Sequence, residues 1–338
     1  MIVLGIETSC DETSVAVLRA PRKILSNVIY SSLKEHKRFG GVVPEIASRA
    51  HLEAVLPCLK TALKKAGILP EDVDLVAVTQ GPGLMGSLLV GQSAAKALSF
   101  FLDKPLVGVD HVIAHAYSGC LTDPTLRFPF VSLVVSGGHT LLLRMDSPVK
   151  VSVLGQTLDD AAGEAFDKVA KMLGLGYPGG PEIDRLAKGQ NTTHYFFSRP
   201  ILSKDSLDFS FSGIKTAVYY QVLELKKKGA LNSVAKKGLA AGFQEAVCDV
   251  LVEKALRATK RHRVRSLVVG GGVSANTRLV FKMRAAAKKE GVKVVFPTSS
   301  LTQDNAAMIA ALGAALFKEG KKSGLDLAGY PRFNERGK

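Results

Sequence analysis

Apolar and polar residues follow two spacings along this chain, one typical of strands and one typical of helices. Short apolar runs at residues 2–6, 74–79, 105–109 and 130–135 predict buried strands, because polar or glycine-rich segments bound each of them. Between these runs, apolar residues recur three and four positions apart, which is the spacing of an amphipathic helix. Strands that alternate with helices in this way predict an α/β protein.

The same local arrangement opens each half of the chain. The apolar strands 2–6 and 15–18 flank a hydroxyl-rich, acidic segment, and the strands 130–135 and 141–145 flank the small polar turn 136–140. Two strands joined by such a short polar segment predict a hairpin. Two similar halves, each beginning with a hairpin suited to a phosphate, predict two lobes with a ligand cleft between them.

Helix boundaries are predicted from capping residues and periodicity. Acids at the start of residues 157–169 predict a helix there, since the helix dipole favours negative charge at its first turn. Residues 297–303 are predicted to be a loop, and Asp304 and Asn305 to cap a final helix. Pro44 is predicted to begin a long helix with one apolar face. That face consists of Leu52, Val55, Leu56, Leu59 and Leu63.

The size and the charge of the chain narrow the classes of protein to which it can belong. Its 338 residues suffice for about two domains of ordinary size, and 46% hydrophobic and 22% charged residues are typical of a globular protein. The formal net charge of +15 favours a polyanionic partner such as a nucleic acid. Basic clusters at residues 226–228, 260–265, 288–289 and 321–322 have an alternative explanation as solvated helix ends that need no partner.

The sequence favours the cytoplasm over export or membrane insertion. Residues 1–7 lack the basic region of a signal peptide and enter a strand directly. The sequence contains no run of about 18 uncharged apolar residues, so we expect no transmembrane helix. The cysteines are far apart and lack the spacing of a metal site, which favours reduced thiols. They are Cys10, Cys58, Cys120 and Cys248.

A pair of histidines provides the first candidate chemistry. His111 and His115 are about one helical turn apart, so both imidazoles project from the same side of a helix that Asp110 is expected to cap. The pair favours a divalent metal, although two histidines in a first helical turn without a metal fit the spacing equally well. Asp304 is the acid best placed to complete a metal site, because it too lies between a predicted strand and a helix.

Glycine-rich turns provide candidate binding sites for a nucleotide. Residues 81–87 lack the Gly-Lys-Ser/Thr ending of a phosphate-binding Walker A loop, which favours close backbone packing instead. Residues 270–276 lack the spacing of a dinucleotide fingerprint, which favours a loop that contacts adenosine. Residues 174–181 would allow a flat ligand to approach the backbone.

Six motifs, taken together and in order, resemble the TsaD family of bacterial tRNA threonylcarbamoyltransferases, relatives of the KEOPS catalytic subunit. They are residues 7–13, His111-x3-His115, residues 135–140, residues 163–168, residues 176–181 and residues 270–276. The resemblance implies an actin-like ASKHA (sugar kinase/Hsp70/actin) α/β fold of two lobes with a central cleft. The expected divisions are an N-terminal lobe 1–125, a C-terminal lobe 126–303, a helix 304–325 returning to the N-terminal lobe, and a tail 326–338.

The same resemblance implies a reaction and its participants. A threonylcarbamoyl group would pass from threonylcarbamoyl-AMP to N6 of adenosine 37, beside the anticodon, in tRNAs that read codons beginning with A. One divalent metal, iron or alternatively zinc, would be held by His111, His115 and Asp304. The residues expected to contact the adenylate are Val134, Val135, Ser136, Gly137, Gly138, Asp167, Gly180, Asp184 and Asn276. The implied companions are TsaB-like and TsaE-like proteins, with a TsaC-like enzyme that supplies the adenylate, and no membrane is involved.

Acyl transfer to an amine requires a proton acceptor, for which Asp11 and Glu12 on the first hairpin are the candidates. A metallopeptidase is an alternative function, but Val112 stands where a zinc peptidase of the His-Glu-x-x-His type has its catalytic glutamate. An ASKHA-type ATPase or small-molecule kinase is a second alternative that the fold would permit, although such enzymes do not need a histidine metal site. A tRNA-binding scaffold without catalysis is a third.

Overall fold

The computed structural model describes residues 1–192, 194–200 and 205–333. The chain divides into two compact units. The first consists of Met1–Leu126, Ser147–Val151 and Pro297–Lys338, and the second of Arg127–Asp146 and Ser152–Phe296.

The boundaries of the two units differ in detail from those of the lobes predicted from the sequence. The first division falls one residue after the predicted one, and the helix predicted to return from residue 304 belongs to the first unit. Residues 147–151 and 297–303, assigned to the C-terminal lobe in the prediction, also belong to the first unit. Of the predicted tail 326–338, residues 334–338 lie outside the described residues.

The strands and helices alternate along most of the chain, as predicted. The strands are β1 (Ile2–Glu7), β2 (Glu12–Arg19), β3 (Lys23–Ser31), β4 (Leu75–Gly81), β5 (Leu106–Asp110), β6 (Phe130–Val135), β7 (Thr140–Met145), β8 (Val151–Gln156), β9 (Ser266–Gly270) and β10 (Lys293–Val295). The helices are α1 (Leu33–Lys37), α2 (Pro44–Ala66), α3 (Met85–Leu102), α4 (His111–Tyr117), α5 (Gly119–Thr122), α6 (Ala162–Met172), α7 (Gly179–Ala187), α8 (Ser212–Lys227), α9 (Ser233–Arg261), α10 (Thr277–Lys289), α11 (Ser299–Thr302) and α12 (Ala306–Lys318).

The first unit is a five-stranded sheet in the order β3-β2-β1-β4-β5 with helices on both faces. β1 is antiparallel to β2 and parallel to β4, and β4 is parallel to β5. Because successive side chains of a strand point to opposite faces, Leu4 and Ile6 pack towards α2 and α3. Val3, Gly5 and Glu7 therefore belong to the opposite face, where Val3 packs with α12 and α4. This alternation assigns Glu7 to the same layer as the two histidines.

Close approach of α12 to the sheet depends on two glycines. A Cβ atom at Gly5 would lie 2.3 Å from the carbonyl oxygen of Ala306, and one at Gly313 would lie 2.4 Å from the Cβ of Ala77. Real Cβ atoms do not approach other atoms so closely. The glycines thus allow the beginning of α12, and the preceding Asp304, to lie directly against β1.

The predicted apolar face of α2 is partly wrong. Val55, Leu59 and Leu63 are buried in the core, whereas Leu52 and Leu56 are 68% and 57% exposed. Ala54, Cys58 and Ala62 complete the buried stripe instead. Small side chains let the helix lie close to the sheet, which leaves the larger leucines on its flank.

Helix α3 is the one described helix with the length and apolar composition of a membrane span. A single helix of this kind is weak evidence for membrane insertion, because core helices have the same composition. α3 packs against α2 and β4 within the first unit.

The second unit has a five-stranded sheet in the order β10-β9-β6-β7-β8. The predicted helix start at residue 157 is wrong, since α6 begins at Ala162. Asp159 lies before that helix and accepts hydrogen bonds from the N–H groups of Phe211 and Ser212 at the beginning of α8, at 2.8 and 3.3 Å. The acid therefore caps a different helix from the predicted one. The loop predicted at residues 297–303 contains α11.

The C-terminal segment packs along the edge strand β5. Ser323 pairs with Leu106 through its N–H at 2.8 Å, and the side chain of Leu327 is buried in the core. The hydroxyl of Tyr330 donates to Oδ2 of Asp110 at 2.6 Å, while Oδ1 of Asp110 caps α4 by accepting from the N–H of Ile113 at 2.9 Å. Asp110 is thus the N-cap predicted for α4, and the C-terminal segment holds that cap in place.

We expect Tyr330→Phe to lower the free energy of unfolding by about 1–3 kcal/mol, because a buried carboxylate oxygen loses its donor. The measurement is urea denaturation followed by circular dichroism. Tyr220→Phe, at a 65% exposed position, is the matched control and should change stability by less than about 0.5 kcal/mol. Equal stability of Tyr330→Phe and the wild type would show that the segment does not secure α4.

Candidate functional site

The two histidines and Asp304 come together in the first unit. α4 begins directly after β5, so His111 and His115 lie one turn apart, with ring centroids 4.7 Å from each other and ring planes perpendicular. Oδ1 of Asp304 lies 3.0 Å from Nε2 of His115 and 3.4 Å from Nε2 of His111. One ligand atom from each residue lies within 4.8 Å of the others. The structure therefore brings together the three residues predicted to hold a metal.

Of the pair Asp304 and Asn305 predicted to cap α12, Asn305 is the N-cap. Oδ1 of Asn305 accepts the hydrogen bond from the N–H of Met308 at 3.1 Å and caps the helix. The sequence did not decide between them, because either residue of the Asp-Asn pair suits an N-cap. With the cap supplied by Asn305, the carboxylate of Asp304 is directed to the histidines.

Glu7 is a site residue that the sequence analysis did not identify. Its fully buried carboxylate accepts a hydrogen bond from Nδ1 of His111 at 2.9 Å and from Oγ1 of Thr79 at 2.5 Å. The other oxygen accepts from the N–H of Ser9 at 2.5 Å. A carboxylate behind a histidine commonly orients the ring and presents its second nitrogen to a metal. An acid at the end of an otherwise apolar strand was the available signal.

Burial and charge together determine the protonation of this cluster. Burial lowers the pKa of His111, but Asp304 and Glu7 outweigh burial and hold the pKa well above its usual value. Burial raises the pKa of Asp304, but His111 outweighs it and holds that pKa well below the usual range. The pKa of Glu7 is lowered in the same way by His111. The buried carboxylate of Glu7 and the half-buried carboxylate of Asp304 thus stabilise a positive charge between them, and a metal would displace the proton of His111.

The chemistry of the donor atoms fits a divalent transition metal. Two imidazole nitrogens and one carboxylate oxygen form the set that binds Fe²⁺ with coordination positions left open, and Zn²⁺ accepts the same atoms. A hydrogen bond to Nδ1 orients the ring of His111 but not the ring of His115. Nδ1 of His115 is buried and lacks a hydrogen-bond partner among the described residues.

The candidate bases Asp11 and Glu12 lie on the hairpin between β1 and β2. The two carboxyls share a hydrogen bond, and burial, followed by the charges of Asp304 and Asp11, raises the pKa of Glu12 to about 10. Glu12 therefore holds a proton at neutral pH. Buried His51 fixes this hairpin on both sides, because it bonds to Oγ1 of Thr13 at 2.7 Å and to the carbonyl of Cys10 at 2.9 Å.

The predicted adenylate residues all belong to the second unit, where they divide into two groups. Val134 and Val135 are fully buried within β6, so their side chains are not available to a ligand. The N–H of Ser136 is also engaged, since it donates to the carbonyl of His139 at 2.8 Å. A Cβ atom at Gly137 or Gly138 would meet no atom within 4 Å. Gly137 and Gly138 are therefore the part of this predicted segment that is open to a ligand, and we call them the candidate adenylate cradle.

The polar residues predicted around the adenylate hold the neighbouring helix ends. Asp167 accepts from the N–H of Gly179 at 2.6 Å, at the beginning of α7. Asp184 accepts from the N–H of Thr277 at 3.1 Å, and Asn276 caps α10 through the N–H of Leu279 at 3.0 Å. Gly180 lies beside this group, and a Cβ atom there would also meet open space. These acids and the amide thus shape the turns by contacts within the protein.

Comparison with known proteins identifies the family. The sequence profile of TsaD, described as tRNA N6-adenosine threonylcarbamoyltransferase, matches residues 23–311. Proteins of that description from Thermosipho africanus and Symbiobacterium thermophilum are each 50% identical to this chain over 98% of its length, covering 99% and 96% of their own lengths. A Bacillus cereus relative is 51% identical, with 98% and 95% of the two chains covered. This chain belongs to the TsaD family.

Solved structures show the fold of this TsaD-family chain. HypF of T. kodakarensis has a TM-score of 0.63 and 14% identity, covering 94% of this chain and 48% of that one. The activator of a 2-hydroxyisocaproyl-CoA dehydratase from Clostridium difficile has a TM-score of 0.53 and 19% identity, covering 95% and 97% of the two chains. These similarities confirm the predicted ASKHA-type α/β fold.

Membership of the TsaD family also confirms the predicted activity in its general form. The chain is a transferase that adds a threonylcarbamoyl group to N6 of an adenosine in tRNA. The profile extends through His111, His115 and Asp304 and through the turns of the second unit. It ends before the C-terminal segment that holds Asp110.

We expect Glu7→Gln to weaken metal binding about 10–100-fold, because the variant keeps the shape of the side chain but removes the charge behind His111. The dissociation constant of Zn²⁺ or Fe²⁺ would be measured in competition with a chelating dye. Glu45→Gln is the matched control, since Glu45 is an exposed acid on α2 that forms a surface ion pair with Arg49. Identical affinities for wild type and Glu7→Gln would contradict the role assigned to Glu7.

Proposed function

We propose that this chain transfers a threonylcarbamoyl group from threonylcarbamoyl-AMP to N6 of adenosine 37 in tRNAs that read codons beginning with A. The observation that carries the proposal is the convergence of His111, His115 and Asp304 in a chain of the TsaD family. These residues would hold one Fe²⁺, or alternatively Zn²⁺. A bound metal of this kind supplies Lewis acidity towards an oxygen of the donor.

The second unit would bind the donor through the turn after β6. The N–H groups of Gly137 and Gly138 have no acceptor in the part of the chain that the structure describes. Successive backbone N–H groups in a turn form a concave site for an anion. We assign the phosphate of the adenylate to this turn, and the adenosine to the neighbouring turn between β9 and α10.

An acid of the hairpin between β1 and β2 would accept the proton that the nucleophile releases. N6 of the adenosine attacks the carbamoyl carbon, the bond from that carbon to the phosphate oxygen breaks, and AMP leaves with the bonding electrons. The proton that N6 releases requires an acceptor. Because Glu12 already holds a proton at neutral pH, we assign this role to Asp11, with Glu12 as its hydrogen-bonded partner.

The distribution of charge supports tRNA as the substrate and the second unit as its main contact. That unit has 26 of the 45 lysines and arginines but only 14 of the 30 acids. Phosphate contacts dominate the affinity of proteins for nucleic acids. The clusters 226–228 and 260–265 belong to this unit and include exposed side chains at Lys226, Lys227 and Arg263.

Companion proteins and a cytoplasmic location complete the proposal. Exposed apolar side chains on α2 and α3 are a surface on which a TsaB-like protein could dock. They are Leu52, Leu56, Leu89, Phe100 and Phe101. A TsaE-like protein and a TsaC-like supplier of the adenylate are proposed from the family resemblance alone. The four cysteines are unpaired, which supports the reducing cytoplasm over export or a membrane.

Analysis of modified nucleosides tests the proposed reaction. tRNA would be incubated with threonine, bicarbonate, ATP, the companion proteins and this chain, and then digested for mass spectrometry. We expect N6-threonylcarbamoyladenosine at position 37 with the wild type. Removal of a group that only hydrogen-bonds to a metal ligand typically costs roughly 10–100-fold in activity. Asp304→Ala removes a proposed ligand itself, so we expect a larger loss of activity. Full activity and full metal content of a folded Asp304→Ala protein would contradict the assigned site.

The adenylate cradle has a separate test in Gly137→Val. Because the side chain enters open space, the fold should tolerate it, but it would block the approach of the phosphate to the backbone. We expect at least a roughly tenfold loss of affinity for a non-hydrolysable adenylate analogue, a loss of about 1.4 kcal/mol, with an unchanged melting temperature. Gly213→Val is the control, since it also faces open space. Equal loss in both variants, or in neither, would refute the cradle.

A further inference from the structure

A basic segment with an exposed aromatic ring connects β3 to α2. Lys34, Lys37 and Arg38 are exposed, and Phe39 is 51% exposed. The guanidinium carbon of Arg38 lies 4.8 Å from the centroid of the Phe39 ring. Exposed apolar area is unfavourable in water, so a ligand that covers this ring would gain affinity from the contact.

Two buried polar side chains tie this segment to the hairpin of the candidate base. Ser32 donates to the carbonyl oxygen of Asp11 through its N–H at 3.0 Å and its hydroxyl at 2.8 Å. Nε2 of His36 donates to Oγ of Ser32 at 3.1 Å, and Nδ1 of His36 accepts from the N–H of Val43 at 3.3 Å. Both ends of the segment are therefore fixed relative to Asp11.

The cations of the segment have no acidic partner, and Arg38 contacts only the Phe39 ring among the interactions of the described residues. Lys34, Lys37 and Arg38 form no ion pair with any acid in the described part of the chain. Two comparable pairs of an arginine and an exposed phenylalanine exist in the second unit. There, Arg199 is paired with Asp249 and Arg278 with Glu245. The segment before α2 thus combines an exposed ring with cations that remain available to a ligand.

Single-stranded RNA is the ligand that matches this chemistry. Proteins bind unpaired nucleotides by stacking bases on aromatic rings or guanidinium planes and by pairing phosphates with cations. The target adenosine must bring N6 to Asp11, so nucleotides beside it must pass close to whatever is fixed to Asp11. We propose that residues 33–43 receive the anticodon loop of the tRNA, with Phe39 stacking on a base next to the target adenosine. This inference rests on the proposed function.

Binding of an anticodon stem–loop RNA to the full chain tests the inference. Affinity would be measured by fluorescence anisotropy with a labelled stem–loop that contains the target adenosine. Phe39→Ala should weaken binding roughly 5–100-fold, as expected for loss of one stacked base, and Phe39→Trp should restore it. Lys37→Ala should reduce the slope of log affinity against log salt by about 0.7, while Phe39→Ala should leave that slope unchanged.

Controls separate this inference from the proposed function. Phe281→Ala removes a 64% exposed ring from the second unit and should change affinity less than Phe39→Ala. Binding of metal and of the adenylate analogue should be unchanged in Phe39→Ala. If the wild type modifies the RNA and Phe39→Ala binds it equally well, the inference is overturned and the function stands. If the wild type modifies no RNA, the proposed function itself fails, and this inference with it.

Discussion

A positive charge held between the buried carboxylate of Glu7 and the half-buried carboxylate of Asp304 is the interaction on which the proposed site depends. Glu7 and Asp304 lie on either side of His111, one bonded to Nδ1 and the other near Nε2. Unpaired charges are very costly in a protein interior, so this arrangement persists only with a cation at its centre. In the protein alone the cation is a proton on the imidazole. A divalent metal would satisfy the same requirement, with His115 as a further ligand.

The fold of the first unit supplies each part of that arrangement from a different segment. Glu7 comes from the central strand, His111 and His115 from the helix after β5, and Asp304 from the turn before α12. Glycines at positions 5 and 313 allow α12 to approach the sheet, and the C-terminal segment secures the cap of α4 through Tyr330. The second unit has no part in these contacts. We propose its glycine turns as the binding site of the adenylate.

The sequence predicted those features that short segments determine. The strands, the histidine pair and the cap at Asp110 follow from periodicity and capping preferences, and the family motifs predicted the ASKHA fold and the transferase activity. The role of Glu7 was missed because it depends on a neighbour more than 100 positions away. The cap before α12 was assigned to Asp304 and Asn305 together, because sequence does not distinguish between them. The exposure of Leu56 likewise depends on how closely α2 approaches the sheet.

X-ray absorption at the edge of the bound metal tests the central claim most directly, because it reports the ligands themselves. We expect two imidazoles and oxygen donors at about 2.0–2.2 Å in the wild type. One imidazole should be lost in His115→Ala. A spectrum without imidazole scattering, or one that His115→Ala leaves unchanged, would contradict a metal centre built from His111, His115 and Asp304.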